Sequence, residues 1–179
     1  MEKIDSKIMR SEAGRCALIF GAVSGAYVFL EPLLAGAEVN LAWLTYLASL
    51  AKLVGLIILM RWCMKKLASS YEGVGVRQLR RFGMWIALFS ATITALCSYV
   101  AVEFVFADTY AETLKMTIDT LAPMLDANSM SSLEGIEEHF GVFNLGVTLI
   151  WCYIYGCILS AILSSTVAGK QNPFDEEDD

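Results

Sequence analysis

The sequence predicts an all-α integral membrane protein with four transmembrane helices, and three observations lead to this fold class. First, 56% of the residues are hydrophobic and the mean hydropathy is +0.56, whereas soluble domains are about 45–50% apolar. Second, the apolar residues are concentrated in four blocks, at about 16–37, 41–60, 83–106 and 141–167. Third, a helix of about 20 residues crosses a hydrocarbon core of about 30 Å, and each block reaches that length.

The first block follows a polar, basic segment, residues 1–15, which we expect on the cytoplasmic side. A basic start, an apolar middle and a small-residue ending at 35–37 are also typical of a signal peptide. The apolar part is long for such a leader, however, and Glu31 and Pro32 interrupt its end. We therefore expect a retained first helix over about 16–37.

The second block, Leu41–Met60, is apolar except for Lys52 near its middle. A lone lysine at that depth costs about 2.5–3.5 kcal/mol on insertion scales, so it needs a partner, a water pocket or a route to the interface. The link between the first two blocks, 36–40, is short. This predicts that the first two helices are antiparallel neighbours.

The third and fourth blocks complete a membrane domain that extends over 16–167. A polar, basic segment at 61–82, interrupted by glycines, precedes the third block, which carries Glu103 near its far end. The residues after the fourth block, 168–179, are rich in aspartate and glutamate. We expect them to form a disordered cytoplasmic tail.

The segment between the third and fourth blocks, 107–140, is predicted to form an amphipathic helical insert. Thr109 and Glu112 have the spacing of a capping box, and apolar side chains follow at helical intervals. Ser131 and Glu134 have the same spacing and predict a second helix that leads into the fourth span. We expect these helices on the membrane surface or at the end of the bundle.

The distribution of lysine and arginine predicts the orientation of the chain. Residues 1–15, 61–82 and the tail together hold eleven of these residues, whereas 107–140 holds only Lys115. Because positive charge is retained on the cytoplasmic side, we expect both termini in the cytoplasm and the insert in the periplasm. The arginines before the third span are also candidates for binding anionic lipid headgroups; they are Arg77, Arg80 and Arg81.

Small residues recur at four-residue intervals in the blocks and predict where the helices pack. Helices in lipid associate through close approach of their backbones, which small side chains permit. Recurrence in every block favours packing within the bundle; the alternative is a face reserved for another subunit. The predicted packing residues are Gly21, Gly25, Gly55, Gly83, Ala87, Gly156 and Ser160.

Lys52 is predicted to be the centre of an intramembrane polar cluster. In the preferred interpretation it is a structural pin that pairs with Glu31, the carboxylate nearest to it in depth. Alternatively, Lys52 lines a cavity that binds an anion or lipid headgroup or relays protons, contacts a partner helix, or extends to the interface. The predicted cluster consists of Lys52, Glu31, Glu103, Tyr27, Tyr153 and Tyr155.

The sequence lacks the residue patterns that are typical of enzymes and metal sites. The single histidine, His139, has no nucleophile near it in sequence, and the five cysteines form no CxxC pair. We expect these cysteines to behave as small hydrophobic residues. The motifs GxSxG and HExxH are absent, and a net charge of −6 gives no reason to expect nucleic-acid binding. We therefore predict no catalytic residue, no cofactor and no metal.

Several sequence features, taken in order, are similar to those of a known family. They are the Gly-rich first span (GAVSGAYVFL), the segment GVRQLRRFG before the third span, the acidic, Met-containing insert, and the ending ILSAILSS of the fourth span. Over nearly the whole chain this order resembles a bacterial family of small four-span membrane proteins catalogued as domain of unknown function 4199. The resemblance implies the fold and a membrane location, and it brings no agreed activity.

These observations predict a non-enzymatic protein of the bacterial inner membrane that contacts membrane lipids. The preferred function is an accessory or scaffold subunit, bound to another membrane protein or to further copies of itself. The alternative is an oligomeric carrier or channel-like protein for a small solute, a lipid or protons, with a polar pocket around Lys52. The two functions predict different surroundings for Lys52. An accessory subunit would have Lys52 packed against Glu31, whereas a carrier or channel would have Lys52 facing a cavity.

Overall fold

The computed structural model describes residues 5–35, 42–71, 74–124, 129, 133, 135–137 and 139–168, and nearly all of these residues are helical. A π-helical turn, Ala101–Val105, extends the third helix, and a 3₁₀ turn follows the fourth. These ranges contain no strand. The main helices are α1 (Ser6–Ala35), α2 (Ala42–Ser70), α3 (Val76–Val100), α4 (Ala107–Leu121) and α5 (Phe140–Ala168).

Four of these helices are long and apolar enough to cross a membrane: α1, α2, α3 with its π-helical turn, and α5. Each has 28 to 30 residues in its candidate span, more than the ~20 that a bilayer core requires. The predicted all-α fold with four candidate membrane-spanning helices is confirmed. The protein is a multi-pass membrane protein.

The helices continue into the basic segment that we predicted to be a polar loop. α2 extends to Ser70 and α3 begins at Val76, so only a short connection separates them. The extensions are amphipathic: Leu67 and Leu79 are buried while the charged side chains face outward. At the start of α3, the backbone N–H of Gly75 donates to the side-chain oxygen of Gln78 (3.1 Å). This bond satisfies a donor that the helix itself leaves unpaired.

The main hydrophobic core lies at one end of the bundle, which we call the basic end. This end contains the N-terminal ends of α1 and α3 and the C-terminal ends of α2 and α5. Buried residues recur there every three or four positions, as expected for the inward face of a helix. They include Met9, Ala13, Ala17 and Phe20 of α1, Met60, Cys63, Met64 and Leu67 of α2, Leu79, Phe82 and Ile86 of α3, and Leu163 and Val167 of α5.

α3 is the central helix, and its two faces pack against α5 and α1. On the α5 side, Gly83 lies against Ser160 and Ala87 lies against Gly156. The Ser160 hydroxyl also donates to the backbone carbonyl of Arg80 (2.8 Å). In these contacts the small residues predicted on the third and fourth spans meet each other.

On the α1 side of α3, two glycines allow larger side chains to approach. A Cβ atom at Gly21 would lie 2.7 Å from Ile93, and one at Gly25 would lie 2.7 Å from the sulfur of Cys97. Both distances are shorter than a carbon atom tolerates. Gly21 and Gly25 therefore permit the close packing of α1 on α3.

Gly55 differs from the other predicted packing residues, because it makes no close packing contact in the described structure. A Cβ atom built on it would have no atom within 4 Å. α2 buries the face that carries Met60 and Met64, and with 3.6 residues per turn Gly55 falls on a different face. The prediction that Gly55 packs within the bundle is therefore wrong.

α4 is the long described helix of the insert and follows the π-helical turn. It begins at Ala107, so Thr109 lies inside its first turn instead of capping it. The capping box predicted from Thr109 and Glu112 is therefore wrong, since the helix starts two residues earlier. The second predicted capping box, at Ser131 and Glu134, the link 36–40 and the tail after residue 168 lie outside the described residues.

Candidate functional site

A cavity with a volume of about 340 Å³ lies between the four spanning helices. Lys52 of α2 contributes its charge, and we call this space the Lys52 cavity. Each spanning helix supplies at least one polar side chain to its wall. These side chains are Ser24 of α1, Ser49 and Lys52 of α2, Ser90 and Thr94 of α3, and Cys152 and Tyr155 of α5.

The helical period of α2 directs Lys52 inward. Lys52, Leu56 and Met60 follow each other at intervals of four residues, and all three line the cavity. Residues four apart lie on one helix face. Because Met60 is part of the buried core, Lys52, a little over two helical turns away on the same face, points into the same interior space.

The Lys52 ammonium lies over the aromatic ring of Tyr27, with Nζ 3.9 Å from the ring centroid. The Tyr27 hydroxyl forms a hydrogen bond with the hydroxyl of Ser49, which holds the ring between α1 and α2. Cation–π contacts of this kind stabilise a cation by about 0.5–2 kcal/mol, most strongly where water is excluded. Tyr27 is therefore the immediate partner of Lys52.

The direct ion pair between Lys52 and Glu31, which we predicted as the structural pin, is not present. Within the described residues no contact of 4.0 Å or less joins the two charges. Glu31 is exposed, and it interacts with Lys52 only as a more distant charge. Tyr27 and Glu31 lie on the same face of α1, one turn apart. The ring of Tyr27 thus takes the place beside the ammonium, and Glu31 lies further out.

The polar groups of the Lys52 cavity differ in whether they are already bonded. Ser90 donates to the carbonyl of Ala87 (3.2 Å), and Thr94 donates to that of Ser90 (2.9 Å). The Ser24 hydroxyl has no hydrogen-bond partner within the described ranges of the chain, and neither does the Lys52 ammonium. Two donors therefore face the cavity without an acceptor.

The remaining wall of the Lys52 cavity is apolar, and part of it lies at the outer surface of the bundle. Leu53 of α2 and Trp151 of α5 both line the cavity, yet they are 39% and 72% exposed. In a bilayer, these side chains face lipid tails. The cavity consequently opens sideways, between α2 and α5, at the depth of the hydrocarbon core.

The family comparison covers all of the elements that build this cavity. The family described as "Protein of unknown function (DUF4199)" matches residues 15–167. This chain belongs to the DUF4199 family. No curated protein and no solved structure matches it significantly. The predicted family is confirmed, and the DUF4199 match runs from the middle of α1 almost to the end of α5.

The structure of this DUF4199 protein divides the predicted polar cluster between two places. Tyr27 and Tyr155 lie at the Lys52 cavity. Glu103 instead lines a separate cavity of about 180 Å³ beside α4, where its carboxylate lies against Gly141. Tyr153 lines neither cavity and contacts Cys157 on its own helix.

Tyr110 of α4 lines the same separate cavity as Glu103. Partial burial of its phenol, with a smaller contribution from the negative charge of Glu31, raises the pKa of Tyr110 above its ordinary value. Both effects favour the neutral phenol. The negative charge of Glu31 thus contributes to the electrostatic environment of Tyr110 in the insert as well as to that of Lys52.

The three arginines predicted to bind lipid headgroups lie in the first turns of α3 and are exposed. The segment that contains them is helical, so their side chains project from the basic end of the bundle in fixed directions. A further basic side chain there, Arg10 of α1, stacks on Trp85 of α3, 4.7 Å from the ring centroid. The three predicted residues are Arg77, Arg80 and Arg81.

Sequence reasoning missed the hydroxyl groups and the tryptophan of the Lys52 cavity. Ser24 precedes Tyr27 by three residues and Ser49 precedes Lys52 by three, so helical spacing would have placed each pair on one face. Trp151 gave no such signal, because its helix is apolar on all sides. Its position at the opening depends on how α5 is rotated against α3.

Proposed function

We propose that this DUF4199 protein is a non-enzymatic membrane protein that binds an acidic single-chain amphiphile, such as a fatty acid, in the Lys52 cavity. The observation that carries the proposal is an ammonium group in a largely apolar cavity, with no carboxylate of the described residues within ion-pair distance. We further propose a location in the bacterial inner membrane with both termini in the cytoplasm. The asymmetry in lysine and arginine supports that orientation.

Electrostatics supports an anionic ligand. A charged side chain near the centre of a bilayer is costly unless another charge or polar group compensates it. The ring of Tyr27 supplies part of the compensation for Lys52. A ligand carboxylate would supply the rest, and the unpaired hydroxyl of Ser24 offers a second donor to its oxygens.

The shape and polarity of the cavity support an alkyl chain on that ligand. Apart from the polar side chains already described, the wall consists of residues such as Phe20, Leu56, Met60 and Leu159. A volume of about 340 Å³ lies at the small end of the range for ligand pockets, about 300–1,000 Å³. It suits one chain better than the two chains of a phospholipid. The sideways opening beside Trp151 would admit the ligand directly from the bilayer.

The test compares the binding of palmitate and of its methyl ester to purified protein by native mass spectrometry. We expect Lys52→Met to weaken palmitate binding by about 10–100-fold, since a hydrogen bond to a charged group contributes about 1.5–3 kcal/mol. The uncharged ester should bind the variant and the wild type equally. Lys65→Met, at an exposed lysine on the same helix, is the matched control and should bind palmitate normally.

Palmitate binding that is equal in wild type and Lys52→Met would contradict the proposal. A two-chain anionic phospholipid bound in preference to palmitate would also contradict it. A membrane protein that co-purifies in mild detergent, with no palmitate bound, would instead favour the accessory-subunit function.

The accessory-subunit function has less support from the geometry. Most of the small residues that would serve a partner are occupied inside the bundle, as the contacts of Gly83 and Gly156 show. The outward face of α2, where Ala51 and Gly55 are exposed, is the part of the predicted small-residue pattern that remains open to a partner helix.

A further inference from the structure

A further cavity, of about 190 Å³, lies between α1 and α2 at the basic end of the bundle. Cys16 of α1 and Cys63 of α2 both line it. Both cysteines are free thiols, and both pack with the main hydrophobic core. The cavity thus brings together two thiols that are distant in sequence and belong to different helices.

Packing holds the two thiols in place. Cys63 is only 1% exposed and lies within the main hydrophobic core. Cys16 is partly buried and packs against the same core, next to Ala17. Each cysteine is carried by a long helix and not by a loop, so the packing of α1 on α2 sets the distance between the sulfur atoms. Such proximity is the geometric requirement for a disulfide.

We propose that Cys16 and Cys63 form a reversible disulfide that cross-links α1 to α2. A disulfide-containing small molecule, such as oxidised glutathione, is the oxidant. The thiolate of Cys16 attacks one sulfur of the oxidant, which forms a mixed disulfide and releases one glutathione thiol. The thiolate of Cys63 then attacks the Cys16 sulfur, which forms the Cys16–Cys63 bond and releases the second glutathione. Two protein protons are lost, and the oxidant is reduced to two thiols.

The surroundings suit this chemistry. Cys16 is the more accessible thiol and lines an open cavity, so it is the one that meets the oxidant. Among the described residues, the charged side chains that line this cavity are Glu12, Arg15 and Lys66, and Glu12 is paired with Arg15 at 3.0 Å. The described lining therefore carries a net positive charge, which attracts an anionic oxidant such as oxidised glutathione.

The other three cysteines have different neighbours. Cys97 packs on Gly25, Cys152 lines the Lys52 cavity, and Cys157 contacts Tyr153. They consequently serve as internal controls for reactivity that depends on a neighbouring thiol.

The disulfide would join α1 and α2 beside the part of the Lys52 cavity that is nearest to the basic end. Phe20 and Met60, which line that cavity, lie about one helical turn from Cys16 and Cys63 respectively. Oxidation would therefore fix the spacing of the two helices at this level. The proposal does not depend on what the Lys52 cavity binds.

The experiment treats the full-length protein in native membranes with oxidised glutathione, alkylates the remaining thiols, and identifies linked peptides by mass spectrometry. We expect a Cys16–Cys63 linked peptide and a fall from five alkylated cysteines to three in each chain, reversed by dithiothreitol. Cys97→Ser should retain the linked peptide, whereas Cys16→Ala should lose it. Five alkylated cysteines in wild type after oxidation, or a linked peptide with a different pairing, would overturn the proposal.

A thermal measurement on wild type keeps the test independent of variants that fold poorly. Oxidised wild-type protein should unfold at a higher temperature than reduced protein, because a cross-link restricts the unfolded chain. Cys63→Ala, if it folds, should show no such dependence on oxidation. Equal unfolding temperatures for oxidised and reduced wild type would count against a cross-link between the helices.

Discussion

Lys52 illustrates how neighbouring side chains decide the role of one buried charge. An ion pair with Glu31 would have neutralised the charge of the ammonium and weakened its attraction for an anionic ligand. Tyr27 occupies that position instead, and an aromatic ring compensates a cation only partly. The lysine therefore retains donors for a ligand, which is why a binding function fits the site better than a structural pin.

Tyr110 provides a prediction at the residue scale. Its pKa is raised in the folded protein, chiefly because the phenol is partly buried and also because of Glu31. The unfolded phenol ionises near pH 10, so the stabilising effect of the neutral phenol is complete below that pH. It is lost as the pH rises through the higher folded pKa. In an alkaline titration followed by phenolate absorbance, Tyr110 should therefore ionise late.

Tyr110→Phe should reduce the late part of the titration by the absorbance of one phenolate. Tyr46→Phe, at a side chain that is 78% exposed, is the matched control and should leave the late part unchanged. If the late absorbance change is as large in Tyr110→Phe as in wild type, the assignment to Tyr110 is wrong.

At the scale of elements, the contact between α3 and α5 is made by small residues and one hydroxyl. Lipid tails offer helices no hydrophobic drive to associate, so close van der Waals contact and interhelical hydrogen bonds supply the attraction. Ser160 bonded to the Arg80 carbonyl (2.8 Å) and Asn144 bonded to Ser98 (2.7 Å) provide such bonds at two levels of this interface.

We predict that Gly156→Ala destabilises the bundle by about 1–3 kcal/mol, the usual cost of overpacking. The added Cβ would lie 3.2 Å from the Cα of Ala87, and a backbone atom cannot move aside as a side chain does. Thermal unfolding in detergent measures the effect. Gly146→Ala is the control on the same helix, since a Cβ there meets no atom within 4 Å. A loss of stability that is equal in both variants would contradict this account.

At the scale of the whole molecule, the two ends of the bundle are built differently. The basic end contains the main hydrophobic core and a small cavity between α1 and α2, whereas towards the other end the helices leave space for the larger Lys52 cavity and for the cavity beside α4. A ligand site requires an unfilled cavity, and a hydrophobic core that continued along the whole bundle would have left none. The basic end also carries the exposed arginines, so it is expected to face the cytoplasm.

The orientation is tested by labelling single cysteines with a membrane-impermeant maleimide. Lys115→Cys, on exposed α4, should be labelled in intact cells above the wild-type background, whereas Arg77→Cys at the basic end should not. Inside-out vesicles should give the opposite result. Labelling of Arg77→Cys in intact cells would show that the protein is inserted the other way round.

The hydrophobic blocks and their order made the four spanning helices and the family predictable, because each depends on local composition and length. The extents of the helices were less predictable. The apolar faces of the α2 and α3 extensions, with Leu67 and Leu79, are diluted by charged residues and become visible only once a partner helix buries them. The close contacts of Gly21, Gly25, Gly83 and Gly156 were anticipated as a pattern, but not which helix each would meet.

Sequence alone determined that the chain is a four-span helical membrane protein with one charged residue, Lys52, near the middle of an apolar span. Only the tertiary structure decided that Tyr27, and not Glu31, lies beside that charge, that a cavity surrounds it, and that Cys16 and Cys63 line one cavity. The reason is physical. Hydropathy and helical period are properties of each helix by itself, whereas contacts between side chains depend on how the helices rotate and slide against one another.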